Sequence, residues 1–91
     1  MAEARVRVYE PKSGRVMEVY TDQPCVQLYT GNFLNNADHD FKGGYPQGLQ
    51  NMFCLETQKM PDSVNHPDFT DCTLDVGETY ETTTVYKFLT R

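Results

Sequence analysis

The spacing of apolar residues is the feature that most constrains the fold of this chain. Ten threonines, eight valines, six tyrosines and five phenylalanines recur in short runs along its 91 residues, and these residue types favour strands. No apolar stripe at positions i, i+3, i+4 and i+7 continues long enough to indicate an amphipathic helix. Proline, glycine and asparagine interrupt the runs. The sequence therefore predicts an all-β protein of about five to seven antiparallel strands.

The first 21 residues predict a β-hairpin. The run RVRVYE at 5–10 reads as a strand, PKSG at 11–14 supplies turn residues, and RVMEVYT at 15–21 runs back. The returning strand has apolar residues on both faces, with Val16 and Tyr20 on one and Met17 and Val19 on the other. This pattern is typical of a strand that is covered on both sides.

Three further segments are predicted as strands. CVQLYTGNF at 25–33 and MFCLETQ at 52–58 are each followed by an irregular stretch, at 34–51 and 59–71. Irregular connections of this length are uncommon in compact domains. In the last segment, CTLDV and TYETTTVYKFL are predicted to pair through a two-residue turn, with Gly77 in the first turn position, as type II′ turns prefer.

The chain has few apolar residues against which so many strands could pack. The two irregular stretches take more than a quarter of the chain, and the remaining strands must bury their faces against something. Tyr80, Tyr86 and Phe88 alternate along the last strand and are more typical of a core than of a ligand-binding surface. We therefore expect residues 1–91 to form a single partial domain of a larger sheet structure.

Charge and cysteine content exclude several classes of partner. Eight basic against thirteen acidic residues give a net charge of −5, which argues against binding to nucleic acid or to an anionic membrane. No apolar run approaches the roughly 18 residues of a membrane span, and the N-terminus lacks the apolar core of a signal peptide. The three cysteines, Cys25, Cys54 and Cys72, have no short metal-type spacing. We expect free thiols in the cytoplasm and no metal site.

Glu56 is an unusual residue for its position. It lies within the mostly apolar run MFCLETQ, where burial of a charge would cost several kcal/mol unless the charge were paired. The period of a strand places Glu56 on one face with Cys54 and Gln58. If Glu56 lined a cleft rather than a core, other residues could surround the carboxylate while it remained available for a functional role. A solvated carboxylate at a strand edge is the alternative interpretation.

Four segments together resemble a known family. RVYEPKSGRVMEVYTDQP, VQLYTGNFL, FCLETQKMPDSVNHPDF and GETYETTTVYKF are similar, in order and spacing, to the C-terminal segment of the aldose 1-epimerase family. The resemblance covers residues 5–88 apart from the stretch at 34–51. It implies the C-terminal part of a large antiparallel β-sandwich that is several times longer than this chain.

The resemblance also implies a function. The family interconverts the α and β anomers of aldohexoses such as galactose and glucose, without a cofactor. A carboxylate takes the proton of the C1 hydroxyl while a histidine protonates the ring oxygen. The family's LETQ motif falls on Glu56 as the general base, and its VQ-x-YTGNF motif falls on Gln27, which would bind a sugar hydroxyl. Partial burial would raise the basicity of Glu56.

The matched segments do not include all of the family's catalytic residues. The resemblance implies that the general-acid histidine lies upstream of the matched region, so we expect residues 1–91 alone not to accelerate mutarotation. His39 and His66 are expected at the surface. Cys25 and Met52 stand where the family has glycine, and a positive φ at either position would be strained.

A function of another class remains open. The chain could be a small non-catalytic β module that binds carbohydrate or protein, or a non-functional truncated product. Unpaired sheet edges would then favour self-association.

Overall fold

The computed structural model describes residues 3–34 and 41–91 and contains two sheets. Its elements are β1 (Val6–Glu10), β2 (Arg15–Thr21), β3 (Cys25–Tyr29), β4 (Cys54–Gln58) and β5 (Thr84–Thr90), with 3-10 turns at Lys42–Gly44 and Ser63–Asn65. The prediction of an all-β fold is confirmed. The chain divides into two compact units, residues 26–56 and the remainder.

The predicted N-terminal hairpin is confirmed. β1 and β2 pair antiparallel from Val6 opposite Val19 to Glu10 opposite Arg15. Gly14, at φ +74°, closes the turn by donating its N–H to the carbonyl of Glu10 at 2.9 Å. Hydrogen bonds from Ser13 lower the pKa of the Glu10 carboxyl group. The turn and the strand register are therefore fixed by local contacts.

β2 is the central strand of the larger sheet. It lies between β1 and β5, and it pairs antiparallel with β5 from Arg15 opposite Thr90 to Thr21 opposite Thr84. Val19 is fully buried and Val16 is 5% exposed, and the two side chains are on opposite faces. The expectation that β2 is covered on both sides is confirmed. Among the residues that the structure describes, these two valines are the only buried hydrophobic side chains.

An ion pair between the exposed Arg7 and the buried Glu18 joins β1 to β2. The Glu18 side chain accepts hydrogen bonds from Arg7 Nε at 2.8 Å and from the Tyr20 hydroxyl at 2.9 Å. The Arg7 hydrogen bond, followed by that of Tyr20, holds the pKa of Glu18 below its usual range, and the same contact with Glu18 raises the pKa of Tyr20. Pairing thus satisfies a carboxylate on a residue that is only 7% exposed.

The predicted C-terminal hairpin is wrong. Residues 72–76 form no strand, because β5 pairs with β2 and leaves this segment without a partner. The turn is one residue earlier than predicted: Glu78 donates its N–H to the Asp75 carbonyl at 3.1 Å, so Val76 and Gly77 are its central residues. Gly77, at φ +91°, occupies the second central position, as in a type II turn.

The prediction that the C-terminal aromatic residues form a core is also wrong for this chain. Tyr80, Tyr86 and Phe88 are 55%, 44% and 74% exposed. Tyr80 precedes β5, whereas Tyr86 and Phe88 share one face of it. Because β5 is an outer strand of a three-stranded sheet, its side chains have fewer neighbours than those of β2.

The two long connections are irregular, as predicted, over the parts that the structure describes. Residues 35–40, which include His39, lie outside the described residues. Phe41 and Tyr45 form an isolated antiparallel bridge around the first 3-10 turn. No helix within residues 3–34 and 41–91 is long and apolar enough to cross a membrane.

Candidate functional site

The two residues predicted for the site lie on neighbouring strands. Gln27 is the central residue of β3, Glu56 is the central residue of β4, and these strands pair to form the second sheet. Both side chains are exposed. Among the residues that the structure describes, the Gln27 amide reaches only the Leu28 carbonyl, at 3.5 Å, which is too long for a strong hydrogen bond. Its donor and acceptor groups are therefore free to bind a ligand.

Glu56 is more exposed than predicted. The sequence suggested partial burial, whereas the side chain is open to solvent in this structure. Water can therefore solvate the carboxylate, and no buried partner is needed to offset its charge. The same exposure makes the carboxylate accessible as a proton acceptor, which a general base requires.

The backbone around the two residues is not strained where glycine was expected. Among the described residues, only Gln50 and Asp62 combine a side chain with a positive φ. Cys25 begins β3 and Met52 precedes β4, and neither adopts the left-handed conformation. The predicted strain at these two positions is absent.

Polar contacts fix the corner that precedes β3. The Asp22 carboxylate accepts hydrogen bonds from the Thr82 hydroxyl at 2.5 Å and from the Thr83 N–H at 3.2 Å, and these bonds lower its pKa. The Gln23 amide donates to Tyr80 and, at 2.7 Å, to Thr82. Its carbonyl oxygen is buried without a hydrogen bond to any described residue. These residues position the backbone a few residues before Gln27.

Sequence reasoning missed this corner. The segments DQP and TYETTT are rich in hydrogen-bonding side chains, but they are nearly 60 residues apart and a single sequence does not show that they meet. The concentration of hydroxyl groups at residues 79–84 was the available signal.

Three threonine hydroxyl groups form a second cluster. Thr84 Oγ1 lies 2.7 Å from Thr57 Oγ1 and 3.0 Å from Thr21 Oγ1. Thr21 is almost completely buried, at 2% exposure. Thr57 follows Glu56 directly in the chain, so this cluster constrains the backbone next to the candidate base.

His66 is at the surface, as predicted. Its side chain is 45% exposed, its Nε2 lies 3.1 Å from an Asp62 oxygen, and its ring stacks on Phe69 at 4.5 Å. Asn65 donates to the other Asp62 oxygen at 2.6 Å. Asp62 therefore organises the loop after β4, and its carboxylate is the hydrogen-bond partner of both His66 and Asn65.

The cysteines do not form a site. Cys25, Cys54 and Cys72 are free thiols. Within the described ranges, no three or more histidine, cysteine, aspartate or glutamate side chains are grouped so that they could hold a metal ion. The candidate site thus consists of an amide and a carboxylate on paired strands.

The sheet formed by β3 and β4 therefore presents one exposed amide and one exposed carboxylate on paired strands. Comparison with known proteins identifies the family to which the chain belongs. The model of the family described as aldose 1-epimerase matches residues 2–87. The chain belongs to the aldose 1-epimerase family.

Individual relatives agree with this assignment. Galactose mutarotases from Bos taurus and Homo sapiens are 53% and 52% identical over 83 residues, which cover 90% of this chain and 24% of each relative. Aldose 1-epimerase from Escherichia coli K12 is 39% identical over 75 residues, or 80% of this chain and 21% of that enzyme. The chain therefore spans about a quarter of the length of these relatives.

Proposed function

We propose that this chain supplies the part of an aldohexose anomerisation site that carries the general base. Glu56 is the general base and Gln27 hydrogen-bonds a hydroxyl group of the sugar. The observation that carries the proposal is the exposure of both side chains on paired strands, in a chain that belongs to the aldose 1-epimerase family. The substrates are aldohexoses such as galactose and glucose, and no cofactor takes part.

The chemistry requires one proton acceptor and one proton donor. The Glu56 carboxylate takes the proton of the C1 hydroxyl, the C1–O bond to the ring oxygen breaks, and C1 becomes an aldehyde carbon. The ring oxygen receives a proton from an acid, which the family resemblance assigns to a histidine upstream of the matched region. Rotation about the C1–C2 bond and closure on the other aldehyde face give the other anomer.

Residues 1–91 by themselves are proposed to be inactive. General acid and general base catalysis each contribute about 10²–10⁴ in rate, and residues 1–91 supply the base alone. Polarimetry of α-D-glucose should therefore show no acceleration over the spontaneous reaction. Turnover that disappears in Glu56→Gln would contradict this part of the proposal.

A chimera tests the role of Glu56 directly. Residues 1–91 would replace the matching segment of human galactose mutarotase, with which they share 52% identity over 83 residues. In an active chimera, Glu56→Gln should lower kcat by about 10²–10⁴, and Gln27→Ala should mainly raise KM. Glu81→Gln makes the same chemical change at an exposed position outside the site and should leave both values unchanged. An unchanged kcat in Glu56→Gln would contradict the assignment.

A second candidate function is association through β5, and one observation favours it. β5 is an outer strand, and Val85, Tyr86, Phe88 and Leu89 are 37–74% exposed on it. A free strand edge with apolar side chains can pair with another chain. On this hypothesis the chain is a non-catalytic β module that binds itself, a protein or a carbohydrate, or a truncated product without function.

Size-exclusion chromatography and circular dichroism separate these alternatives. A monomer that melts cooperatively supports an independent module, whereas aggregation or disorder supports a truncated product. Galactose titration then distinguishes binding from folding alone. The acidic charge and the free thiols are consistent with a cytoplasmic protein that binds neither nucleic acid nor membrane, and these remain proposals.

A further inference from the structure

One face of the larger sheet carries a surface cavity of about 310 Å³. Its described lining consists of Arg7, Val16, Glu18, Leu89, Thr90 and Arg91. The strand registers explain why residues so far apart in the chain meet here. Arg7 of β1 is opposite Glu18 of β2, and Leu89 of β5 is opposite Val16 of β2. Because directly opposite residues share a face of a sheet, the cavity lies on the face that carries Glu18.

The carboxylate in this lining already has hydrogen-bond partners at both oxygens. Glu18 Oε2 accepts from Arg7 Nε at 2.8 Å and lies 2.8 Å from Arg7 Nη2, and Oε1 accepts from the Tyr20 hydroxyl group at 2.9 Å. The Glu18 side chain is only 10% exposed, whereas that of Arg7 is 59% exposed. Glu18 therefore fixes the Arg7 guanidinium group from the protein side and leaves its third nitrogen, Nη1, available to a ligand.

A second guanidinium group is held in the lining by contacts that leave its donors unused. The backbone N–H of Arg91 donates to the Gly14 carbonyl at 2.7 Å, and the guanidinium carbon lies 5.0 Å from the centre of the Tyr9 ring. A cation in this position is attracted to the face of the ring. The side-chain nitrogens of Arg91 make no hydrogen bond to another described residue. Their planar arrangement of N–H donors matches the oxygens of a phosphate or carboxylate group.

The charges on this face favour an anion, although the chain as a whole has a net charge of −5. Lys87 of β5 is directly opposite Glu18, so Arg7, Glu18 and Lys87 form one row across the three strands. With Arg91, three basic side chains accompany one carboxylate. Glu18 is the only acidic residue in the described lining, and Arg7 already pairs with it. The remaining positive charge would attract an anion to this cavity.

Apolar side chains form another part of the lining. Val16 is 5% exposed and Leu89 is 37% exposed, and the two are opposite each other on β2 and β5. The methylene groups of an arginine side chain can extend such an apolar surface. Small-molecule sites typically combine an apolar surface with a few polar groups that fix the orientation of the ligand. The lining therefore fits an organic anion with an apolar body better than it fits an inorganic ion.

We propose that this cavity binds a small phosphate monoester with an apolar body. Arg7 and Arg91 donate to the phosphate oxygens, and the apolar body packs on Val16 and Leu89. A phosphate monoester offers three terminal oxygens to the two guanidinium groups, one more than a carboxylate, and it carries close to two negative charges at neutral pH. This binding site goes beyond the proposed function, because it requires neither Glu56 nor a sugar, and either proposal can fail without the other.

Nuclear magnetic resonance titration of ¹⁵N-labelled residues 1–91 with phenyl phosphate tests the proposal, at constant pH and about 0.15 M salt to screen non-specific attraction. The signals of Arg7, Leu89, Thr90 and Arg91 should shift and reach saturation. Benzoate has the same ring with a singly charged carboxylate and should bind about fivefold more weakly. Benzyl alcohol is neutral and should cause no shift. Equal binding of benzoate and phenyl phosphate, or an absence of saturable shifts at these residues, would overturn the inference.

Variants separate the cavity from a general attraction between charges. Arg91→Met removes a guanidinium group that pairs with no described carboxylate, and it should weaken phenyl phosphate binding about tenfold, as expected for a lost hydrogen bond to a charged group. Arg5→Met removes the same charge at an exposed position outside the described lining and should leave binding nearly unchanged. Equal effects of these two substitutions would contradict a defined site.

A third variant tests the apolar part of the cavity. Leu89→Ala should weaken phenyl phosphate binding about threefold, because less apolar surface is buried against the ring. Inorganic phosphate has no apolar body, so its weaker binding should be the same in Leu89→Ala and in the unmodified chain. Circular dichroism establishes that each variant is folded before titration. An equal effect of Leu89→Ala on both ligands would overturn the assignment of an apolar body to the ligand.

Discussion

Thr57 and Thr84 share a hydrogen bond, with their hydroxyl oxygens 2.7 Å apart, and Thr84 also contacts the buried Thr21 at 3.0 Å. A hydroxyl group can donate one hydrogen bond and accept two, so Thr84 can bond to both neighbours at once. Thr84 is therefore the central member of the cluster. Because Thr57 is next to Glu56 in the chain, the cluster bears on the stability of the backbone that carries the candidate base.

Removal of the Thr84 hydroxyl should destabilise the fold. Thr84→Val keeps the side-chain shape but leaves Thr21 and Thr57 without their common partner, at a cost of about 1–3 kcal/mol in the free energy of unfolding. Urea denaturation measures this cost. Thr84→Ser retains the hydroxyl and should cost less. Thr90→Val, at an exposed position of the same strand, should change stability by less than about 0.5 kcal/mol. Equal effects of the two valine substitutions would contradict the role of the cluster.

Gly31 should not tolerate a side chain. It has φ +77°, and an added Cβ would lie 3.1 Å from Leu34 Cδ1 and 3.3 Å from the Met52 carbonyl oxygen. Gly31→Ala thus combines left-handed strain of about 1 kcal/mol with close contacts that require Leu34 and Met52 to shift by a few tenths of an ångström. Gly77→Ala is the matched control, because its φ is +91° and nothing lies within 4 Å of its Cβ position. Chemical denaturation should show a larger loss at Gly31, and an equal loss at both positions would show that the close approach has no cost.

Acid should weaken the corner before β3 through Asp22. Hydrogen bonds from Thr82 and Thr83 lower its pKa in the folded state, so its contribution is present above the unfolded pKa of about 3.9 and is lost as the pH falls through the folded value. Asp22→Asn should lower Tm at pH 7 and reduce the further loss of Tm between pH 5 and pH 2.

The control for this experiment is Asp68→Asn, which removes one carboxylate from an exposed position with no hydrogen bond to another described residue. Its melting temperatures should follow those of the unmodified chain from pH 5 to pH 2. If Asp22→Asn followed the same curve, the hydrogen bonds at this corner would contribute nothing to acid stability.

Arg7 should matter because its partner is buried. Arg7→Met removes the 2.8 Å contacts between Arg7 and the Glu18 carboxylate and leaves only the Tyr20 hydroxyl group as a hydrogen-bond partner, so Tm should fall. The double variant Arg7→Met with Glu18→Leu removes both charges and should recover most of the loss. Arg5→Met, at the exposed position just before β1, should have little effect. No recovery in the double variant would indicate that Arg7 stabilises the sheet by packing alone.

Local patterns predicted much of the fold. The turn residues and alternating apolar residues predicted the β1–β2 hairpin, and short apolar runs predicted β3, β4 and β5. These predictions succeeded because the period of a strand depends only on residues that are close together in the chain. The predicted hairpin at residues 72–89 failed because a turn signal does not determine which strand is the better partner. β5 pairs with β2, more than 60 residues earlier in the chain.

For the candidate site, the sequence by itself determined the residues and the strands that carry them. Gln27 and Glu56 were identified from segments that resemble the family, and both are central residues of the predicted strands. Only the tertiary structure decided that β3 and β4 are neighbours, that Glu56 is exposed rather than partly buried, and that Asp22 meets Thr82. Exposure and pairing depend on contacts between residues far apart in the chain, and these are set by packing rather than by local period.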